Sequence, residues 1–422
     1  MSGAPRGTGR LEVLIGSDLY PQADAGGSGS VFMAGTVIAT SDGREREILL
    51  PLGGTVEAKS LELEPGNYVV QATLPSGRVI STSTEVTAGG TARVHLDASG
   101  SPHETHAFQY AMGNLQTSAG YQRANPPRAH VPGPELDRGQ PPPRGPGTVG
   151  HLVAAAAPGY AALNAAPGVR ALAASAALPL PGLPVGDPVP TGDTTTELYR
   201  FGAETAAAPA GRHYLTIGAE GTVHLATLPV PWNGMDGTSC TVEVMVNRGP
   251  RPVAGPVTVT VWDARLGGGL AYLGTGALKQ AATVFRDVQG MLLEKVANPL
   301  AATAAAYVLA GTEDTGMRQP WDPWLENLAN WFPGLADGSI LWAARRLRTA
   351  GSAAEAEALK PLLAEAFGRG LPAYTLGLVW LADLLAEFPE DPGCVRMHQQ
   401  VRRLSWRADM REPFVVLKFE GE

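Results

Sequence analysis

Apolar and polar residues alternate in short segments through residues 10–97, with the two-residue period of a half-buried strand. The segments lie at residues 11–15, 31–38, 47–50, 56–63, 68–74, 79–86 and 92–96. The motifs SDG, EPGN, PSG and AGG fall between segments, and their Gly, Pro, Asn and Asp residues are typical of tight turns. This spacing predicts a small antiparallel β-sandwich over residues 10–97.

A second group of strand-like segments predicts a smaller β module over residues 196–266. Its segments lie at residues 198–201, 213–217, 223–228, 240–246 and 257–262. The C-terminal tail, residues 409–422, contains PFVVLKF at residues 413–419, which is rich in β-branched and aromatic side chains. We expect this tail strand to pair with the β module.

The apolar period changes to that of a helix in residues 267–408, and we predict seven helices there. The first is expected over residues 270–296, after a Gly267–Gly269 hinge. Start signals for the others are Asn298-Pro299, Asp322-Pro323, Asp337, the capping box Ser352-x-x-Glu355, Pro372 and Asp391-Pro392. Short amphipathic helices cannot bury their apolar stripes singly, so they are expected to stack into an array.

Residues 98–195 show neither the two-residue apolar period of a strand nor the apolar period of a helix. The stretch ANPPRAHVPGPELDRGQPPPRGPGTVG has too few apolar residues to offset the entropy of ordering, and Pro interrupts the Ala- and Leu-rich stretch that follows. We predict a flexible Pro/Ala/Gly-rich linker; the alternative is a segment that docks or is cut by a protease. The predicted fold class is therefore a multidomain β plus α chain. Its linker is expected to keep the domains at a high local concentration relative to each other without fixing their orientation.

The net charge of −8 and the absence of a basic run exclude a general nucleic-acid-binding or anionic-membrane surface. The start, MSGAPRGTGR followed by LEVLIG, has too short an apolar core for a secretory signal, and no apolar stretch reaches the length of a membrane span. Cys240 and Cys394 are far apart in the sequence, which suits a reducing cytoplasm better than a disulfide framework. The heavy use of Ala, Gly, Pro and Arg is typical of a GC-rich bacterial genome.

Histidines offer no clear metal site. His103 and His106 have a spacing of three, whereas the zinc-protease helix needs a spacing of four, so we interpret them as linker polarity. His213 and His224 lie on predicted strands and are expected to face solvent. His398 lies on the polar side of the last predicted helix. We therefore expect no metal ion and no cofactor.

No nucleophile stands out either. The loop at residues 26–30, GGSGS, lacks the G-x-S-x-G elbow and the apolar strand that precedes it. Cys240 begins a predicted strand, and Cys394 opens a predicted helix, where the thiol pKa falls; with no histidine assigned as its partner, we interpret Cys394 as a structural thiol. The sequence therefore predicts a protein that is not an enzyme.

Aromatic residues are concentrated in WDPWLENLANWFPGLADGSILW, and six of the eight tryptophans follow residue 269. Most of these rings are expected in the core between helix layers. One helix seldom buries every ring of such a set, and exposed Trp marks binding hot spots. The candidate recognition residues are Trp321, Trp324, Asn327, Asn330, Trp331 and Trp342.

Two resemblances to known families accompany these patterns. The segments LEPGNYVV, LPSGR and VTAGG, beginning at Leu63, Leu74 and Val86, resemble carboxypeptidase regulatory-like and related transthyretin-like sandwiches, which implies fold and little about function. Tyr272-x-x-x-Gly276 and Ala281-x-x-x-Phe285 resemble a degenerate tetratricopeptide-type array. That second resemblance implies a concave surface for a protein partner.

We expect a non-catalytic adaptor or scaffold whose helical array binds a protein partner, with the oligomeric state left open. The first alternative is a protease substrate or effector of a bacterial defence system, cut in residues 98–195; a caspase-like protease of the same gene cluster is its candidate partner. The second alternative is an enzyme whose site escapes recognition. Nucleic acid and membrane are not expected partners.

Overall fold

The computed structural model describes residues 7–16, 31–52, 58–74, 77–97, 149–154, 156–166, 185–189, 196–202, 211–219, 222–234, 237–248, 256–263, 266–313 and 317–420. A β-rich region with several sheets precedes an array of helices, which confirms the predicted multidomain β plus α fold class. Among the described residues, no helix combines the length and apolar character that crossing a bilayer requires.

The first β domain is a two-sheet sandwich. Its strands are β1 (Gly9–Gly16), β2 (Val31–Ala39), β3 (Glu45–Leu52), β4 (Lys59–Leu63), β5 (Gly66–Thr73), β6 (Val79–Val86) and β7 (Thr91–Asp97). The sheets have the orders β4-β1-β7 and β3-β2-β5-β6, and alternate residues such as Leu11, Met33 and Val70 fill the space between them. One pair departs from the predicted antiparallel arrangement, because β1 pairs with β7 in parallel.

The second β domain has two further sheets. Its strands are β8 (Val149–Ala154), β9 (Thr196–Phe201), β10 (Arg212–Ala219), β11 (Thr222–Leu228), β12 (Val242–Asn247), β13 (Val257–Val261) and β14 (Val416–Glu420). One sheet has the order β13-β12-β9, and the other, here called the helix-facing sheet, has the order β14-β11-β10-β8. The tail strand β14 pairs with β11, as predicted.

Part of the predicted linker is folded. The strand β8 pairs with β10, and helix α1 (Tyr160–Ala165) follows it. Leu152, Tyr160 and Leu163 are buried against the helical array, so the Ala- and Leu-rich composition supplies enough apolar contact to order this stretch. Residues 98–148, 167–184 and 190–195 of the predicted linker lie outside the described residues.

The helical array follows β13. Its helices are α2 (Gly267–Gly274), α3 (Leu278–Phe285), α4 (Val288–Leu293), α5 (Pro299–Thr312), α6 (Asp322–Trp331), α7 (Ala336–Thr349), α8 (Ala353–Glu357), α9 (Lys360–Gly368), α10 (Thr375–Ala386) and α11 (Pro392–Ser405). Apolar residues of α7, α9, α10 and α11 pack against the helix-facing sheet in one shared core.

The single long helix predicted over residues 270–296 is three helices. Gly276, with φ of +72°, ends the first of them, and Arg286, with φ of +61°, ends the second. The predicted Gly267–Gly269 hinge is instead the buried first turn of α2. Gly269 is needed there because an added Cβ would lie 1.9 Å from Cε1 of Phe285.

Three of the predicted start signals cap helices in the expected way. Asn298 Oδ1 accepts from the Ala301 amide at 3.0 Å, Ser352 Oγ from Glu355 at 3.3 Å, and Asp391 Oδ1 from Cys394 at 2.7 Å. Asp322 and Asp337 are exceptions. Both lie inside the first turn of their helices and direct their carboxylates to tertiary partners: Arg345 for the first and Tyr307 for the second.

The first sandwich contacts the helical array directly. The Tyr272 hydroxyl accepts from the Ala34 amide at 3.2 Å and donates to the Thr73 carbonyl, so α2 joins two strands of the sandwich. Thr283 Oγ1 donates to Glu47 at 3.0 Å. These contacts differ from the expectation that only a flexible linker relates the sandwich to the rest of the chain.

Candidate functional site

A cavity of about 410 Å³ lies between the helix-facing sheet and the helical array. Its wall comes from the start of β10, the end of β11 with the loop after it, the start of α5, the α6–α7 turn, and Ala373. Most of the lining is apolar: Leu228, Val230, Pro231, Pro299, Leu300, Trp331, Phe332, Pro333, Leu335 and Ala373. This volume falls within the range of about 300–1,000 Å³ that is typical of ligand pockets.

One exposed apolar side chain lines this cavity, and two others flank, in sequence, the lysine that packs against it. Trp331, the last residue of α6, lines the cavity and is 56% exposed. The Lys295 ammonium lies 5.1 Å from the centre of the Trp331 ring, and its sequence neighbours Leu293 and Val296 are 52% and 72% exposed. These three apolar residues, here called the mouth patch, are three of the seven exposed large apolar side chains in the described part of the chain. A large exposed apolar side chain at an apolar cavity is typical of a surface that another molecule covers.

The Lys295 side chain is itself shielded from solvent, and burial lowers the pKa of its ammonium. Its position above the ring is that of a cation–π contact, which contributes about 0.5–2 kcal/mol depending on desolvation. Lys295 therefore holds the Trp331 ring in a defined orientation at the cavity.

The polar part of the wall comes from the strands. Tyr214 is paired with Thr227 across β10 and β11, and Arg212 lies two residues before Tyr214, so all three project from one face of the helix-facing sheet. Arg212 Nη1 donates to the Gly334 carbonyl at 2.9 Å. Its Nη2 and the Thr227 hydroxyl are buried and have no hydrogen-bond partner among the described residues. Each such group costs about 1–3 kcal/mol when it is left unsatisfied.

Asp337 is buried directly behind the cavity wall. Its Oδ1 accepts from the Tyr307 hydroxyl at 2.8 Å and the Tyr374 amide at 3.2 Å, and its Oδ2 accepts from the Ala373 amide at 2.7 Å. Burial raises the pKa of this carboxyl, opposed by the Ala373 amide bond and by the charge of Arg212. Because Ala373 lines the cavity, Asp337 fixes part of its wall.

Two histidines form a buried pair at the edge of the cavity. His151 Nε2 lies 3.1 Å from Nδ1 of His213, which lines the cavity. Burial, followed by the neighbouring His151, lowers the pKa of His213 to about 4, and burial also lowers the pKa of His151. The pair is therefore neutral at pH 7, and one ring donates to the other.

The expectation that His213 and His224 face solvent is wrong. Both are buried, because they project from the face of the helix-facing sheet that packs against the β13-β12-β9 sheet, where Leu215 and Ile217 of the same face lie in the core. Burial lowers the pKa of His224 to about 4, with Lys418 of β14 adding to the effect. Within the described ranges, no group of three or more His, Cys, Asp or Glu side chains could hold a metal ion.

The six predicted recognition residues do not form one surface. Trp321 is fully buried, and its Nε1 donates to Glu313 at 2.6 Å while the Arg345 guanidinium lies 4.9 Å from its ring. Trp342 is half-buried and lines a different, more polar cavity of about 430 Å³ with Arg345. Trp331 lines the first cavity.

The remaining predicted recognition residues line neither cavity. Trp324 is half-buried against the core, Asn327 is half-buried and Asn330 is exposed. Ring size and polarity alone could not distinguish these positions from Trp331, because their exposure depends on which elements pack around α6.

Other sequence candidates stay apart from the cavity. His103, His106 and the loop at residues 26–30 lie outside the described residues. Cys240 is half-buried and Cys394 is buried, and no disulfide joins them. Burial raises the pKa of Cys394, and the Asp391 carboxylate adds to this, which is opposite to what an activated thiol requires.

One protein-family model, described as the Y4kD C-terminal domain, matches residues 268–421. The match begins in α2 and ends after β14, so the helical array and its tail strand are similar to that domain as one unit. No curated protein matches the chain, and no solved structure does. The matched region contributes Trp331, Ala373 and Asp337, whereas Arg212 and Thr227 come from the preceding strands.

Proposed function

We propose that this protein is a non-catalytic protein–protein interaction module that holds its partner at the cavity beside Trp331. The observation that carries the proposal is the mouth patch together with the apolar cavity that it adjoins. An apolar side chain of the partner enters the cavity, and the surrounding partner surface covers Trp331, Leu293 and Val296.

The physical reason is the free energy of burying this surface. Binding energy in protein interfaces is concentrated in a few Trp, Tyr and Arg residues that are central and well packed. Trp331 is of this residue type: Lys295 orients its ring, and Phe332 and Pro333 extend the apolar wall that a partner would cover. Truncation of such a residue costs about 2 kcal/mol or more of binding free energy, which is about thirtyfold in affinity.

A non-catalytic role fits the buried acid–base groups near the cavity, because each of them already makes hydrogen bonds within the protein. Asp337 accepts three hydrogen bonds, and His213 and His151 interact with each other. A general base needs a free lone pair that reaches a substrate proton. We therefore infer that these groups hold the wall of the cavity in place and take no part in a reaction.

We also propose that the array is of the tetratricopeptide-like class and that the first sandwich is of the carboxypeptidase regulatory-like class. The supporting observations are the two-part architecture and the turn motifs of the sandwich. We further propose a reducing, cytoplasmic location in a bacterium, since no disulfide joins Cys240 and Cys394.

A second candidate function is that of a protease substrate, with a caspase-like protease of the same gene cluster as partner. Strand β7 ends at Asp97 and β8 begins at Val149, and the core of the first sandwich shares no residue with the core that contains β8. A cut within residues 98–148 would therefore leave both cores intact. Incubation with that protease, followed by mass spectrometry, is expected to show one cut in this range if the candidate is right, and cuts elsewhere or none if it is wrong.

The interaction proposal is tested by affinity capture with the tagged full-length chain. The full chain is required because β8 and α1, which precede residue 196, belong to the same core as the array. Proteins captured from cells of the source organism are quantified for wild type, Trp331→Ala and Trp406→Ala. Trp406 is 84% exposed and does not line the cavity, so it is the matched control.

We expect Trp331→Ala to reduce recovery of the specific partner at least about tenfold while Trp406→Ala retains it. Equal recovery by wild type and Trp331→Ala would contradict the proposal. Thermal unfolding of the three proteins establishes that the loss does not come from misfolding.

A further inference from the structure

A second cavity, here called the arginine cavity, lies between the start of α6 and the end of α7. Its volume is about 430 Å³. The residues that line it are Arg318, Asp322, Pro323, Glu326, Trp342, Arg345, Arg346 and Thr349. Three arginines against two acids leave one positive charge on this wall, whereas the cavity beside Trp331 is mostly apolar. The composition indicates a ligand with polar and negatively charged groups.

The carboxylate of Asp322 is already used within the protein. Its Oδ1 accepts from Arg345 Nε at 2.7 Å. Its Oδ2 accepts from the backbone amide of Gln319 at 2.9 Å and from Arg345 Nη2 at 3.4 Å. Asp322 therefore balances the charge of Arg345, and the net charge of the cavity comes from the other lining residues.

Arg345 still presents one donor to the arginine cavity. The residue is only 2% exposed, and its Nη2 also donates to the Met317 carbonyl. Nη1 has no acceptor within the described ranges, but unlike Arg212 Nη2 it keeps accessible surface at the cavity that Arg345 lines. A guanidinium that its neighbours already hold in place loses little side-chain entropy when it binds an acceptor.

Two exposed arginines add to this donor. Arg318 and Arg346 line the same cavity, and neither forms an ion pair in the described part of the chain. The Arg346 guanidinium lies 5.6 Å from the centre of the Trp342 ring, which holds it at the wall. Glu326 opposes only one of these two charges. Arginine N–H groups match the oxygens of carboxylates and phosphates, so the arrangement favours an oxygen anion.

The surroundings favour a small molecule over the acidic side chain of a protein. None of the exposed large apolar side chains of the described residues lines the arginine cavity. A protein interface has an apolar core that excludes water, and its polar contacts lie mainly at the rim. The volume of the arginine cavity is within the range of small-molecule sites.

We propose that the arginine cavity binds a small organic anion through a carboxylate or phosphate group. This group accepts from Arg345 Nη1 and pairs with Arg318 and Arg346. The inference goes beyond the proposed function, because the site is at the other end of α6 from Trp331 and shares no lining residue with the cavity there.

The test measures protection of individual arginines in the full-length chain from phenylglyoxal, a reagent for accessible guanidinium groups. The probes are sodium succinate, sodium citrate and sodium phosphate, and sodium chloride at equal ionic strength is the reference. Mass spectrometry gives the labelling rates of Arg346 and Arg348. Arg348 is the matched control, because it is exposed on the same helix and packs on Trp380 without lining the arginine cavity.

We expect at least one probe to slow the labelling of Arg346 about tenfold at ten times its dissociation constant, because the fraction of free sites falls by that factor. Labelling of Arg348 is expected to stay unchanged. Protection by succinate or citrate alone would identify a carboxylate ligand, and protection by phosphate alone would identify a phosphate-bearing one. Protection by both kinds of probe would show that the site recognises the oxygen anion itself.

A charge-removing variant assigns the binding to the wall. Arg318→Gln is expected to weaken the protective probe about tenfold, because one charged donor is lost, whereas Arg348→Gln is expected to leave the affinity unchanged. Both positions are exposed, so neither substitution disturbs the core. In both variants Arg346 remains, and its protection reports the affinity.

Three outcomes would overturn the inference. The first is that no probe protects Arg346. The second is equal protection of Arg346 and Arg348, and the third is equal affinity of wild type and Arg318→Gln. Either of the last two would show general screening by ions and no site at the arginine cavity.

Discussion

Asp337 joins three segments of the array through one buried carboxylate. Its partners Tyr307, Ala373 and Tyr374 are 30, 36 and 37 residues away in sequence. An ionised carboxylate supplies acceptors on both oxygens, and here each oxygen receives a donor. Loss of either acceptor leaves a buried N–H or O–H without a partner.

We predict that Asp337→Asn lowers the free energy of unfolding by about 2–3 kcal/mol. The amide keeps one acceptor oxygen, but its NH₂ group would face the Ala373 or Tyr374 N–H, so one buried amide loses its partner. Chemical denaturation measures the change. Asp383→Asn, on the exposed side of α10, is the control and is expected to change stability by less than about 0.5 kcal/mol. Equal effects of the two substitutions would show that Asp337 does not anchor the wall.

The His151–His213 pair predicts how stability depends on pH. The pKa of His213 is lowered to about 4 in the folded protein from an ordinary 6.5, so only the unfolded chain takes up a proton between these values. Stability is therefore fully present above about pH 6.5 and falls as the pH decreases toward 4, by up to about 1.4 kcal/mol per pH unit for this histidine.

This dependence is measured as the thermal midpoint between pH 7.5 and 4.5. We expect His213→Gln to show a shallower decrease than wild type, and His95→Gln, at an exposed position of β7, to follow wild type. Parallel curves for wild type and His213→Gln would contradict the assignment.

The residues of the candidate site were only partly predictable. Trp331 was among the candidates, because exposed aromatics in an aromatic cluster indicate recognition. Arg212 and Thr227 are not among the sequence candidates. Alternation along a strand indicates which face of the sheet a side chain occupies, but not which elements pack on that face. From the sequence, Asp337 indicates only the start of a helix. An aspartate occupies the same sequence position whether its carboxylate caps the helix or accepts from a distant hydroxyl.

Most secondary-structure elements follow from local rules. The caps at Asn298, Ser352 and Asp391 and the strands of both β domains form where turn and cap chemistry predict them. The break of the first helix at Gly276 and Arg286 was not predicted, because the apolar stripe continues across both breaks. The strand β8 is not predicted from the sequence, because its pairing with β10 joins residues that are at least 58 positions apart, beyond any local pattern.

The contact between α2 and α3 gives a prediction for one glycine. We predict that Gly269→Ala lowers the free energy of unfolding by about 1–3 kcal/mol, because the new methyl group would overlap the Phe285 ring. The control is Gly368→Ala at the end of α9, where an added Cβ meets no atom within 4 Å. Urea denaturation of both variants measures the difference, and equal stability of the two would rule out the close packing.

At the scale of the whole molecule, the first sandwich is held against the array by specific polar contacts. The Tyr272 hydroxyl lies between the Ala34 amide of β2 and the Thr73 carbonyl of β5. Arg286, whose backbone ends α3, places its guanidinium 5.1 Å from the Phe32 ring. The linker composition could not reveal this contact, because it forms between surfaces that are far apart in sequence.

We predict that Tyr272→Phe loosens the sandwich from the array. Without the hydroxyl, the Ala34 amide loses its acceptor, so hydrogen–deuterium exchange in a peptide covering residues 31–39 is expected to increase. Tyr199→Phe, which removes a hydroxyl bound to Glu197 in the second β domain, should leave this peptide unchanged. Unchanged exchange in Tyr272→Phe would mean that this bridge does not hold the domains together.

Site-specific photo-crosslinking at the mouth of the cavity tests directly whether a partner protein binds beside Trp331. A photoreactive phenylalanine analogue replaces Trp331 in one full-length protein and Trp406 in another, and both are irradiated in cells of the source organism. We predict that position 331 gives one dominant crosslinked protein and that position 406 does not. A partner joined only at position 406, or equally at both positions, would contradict the account.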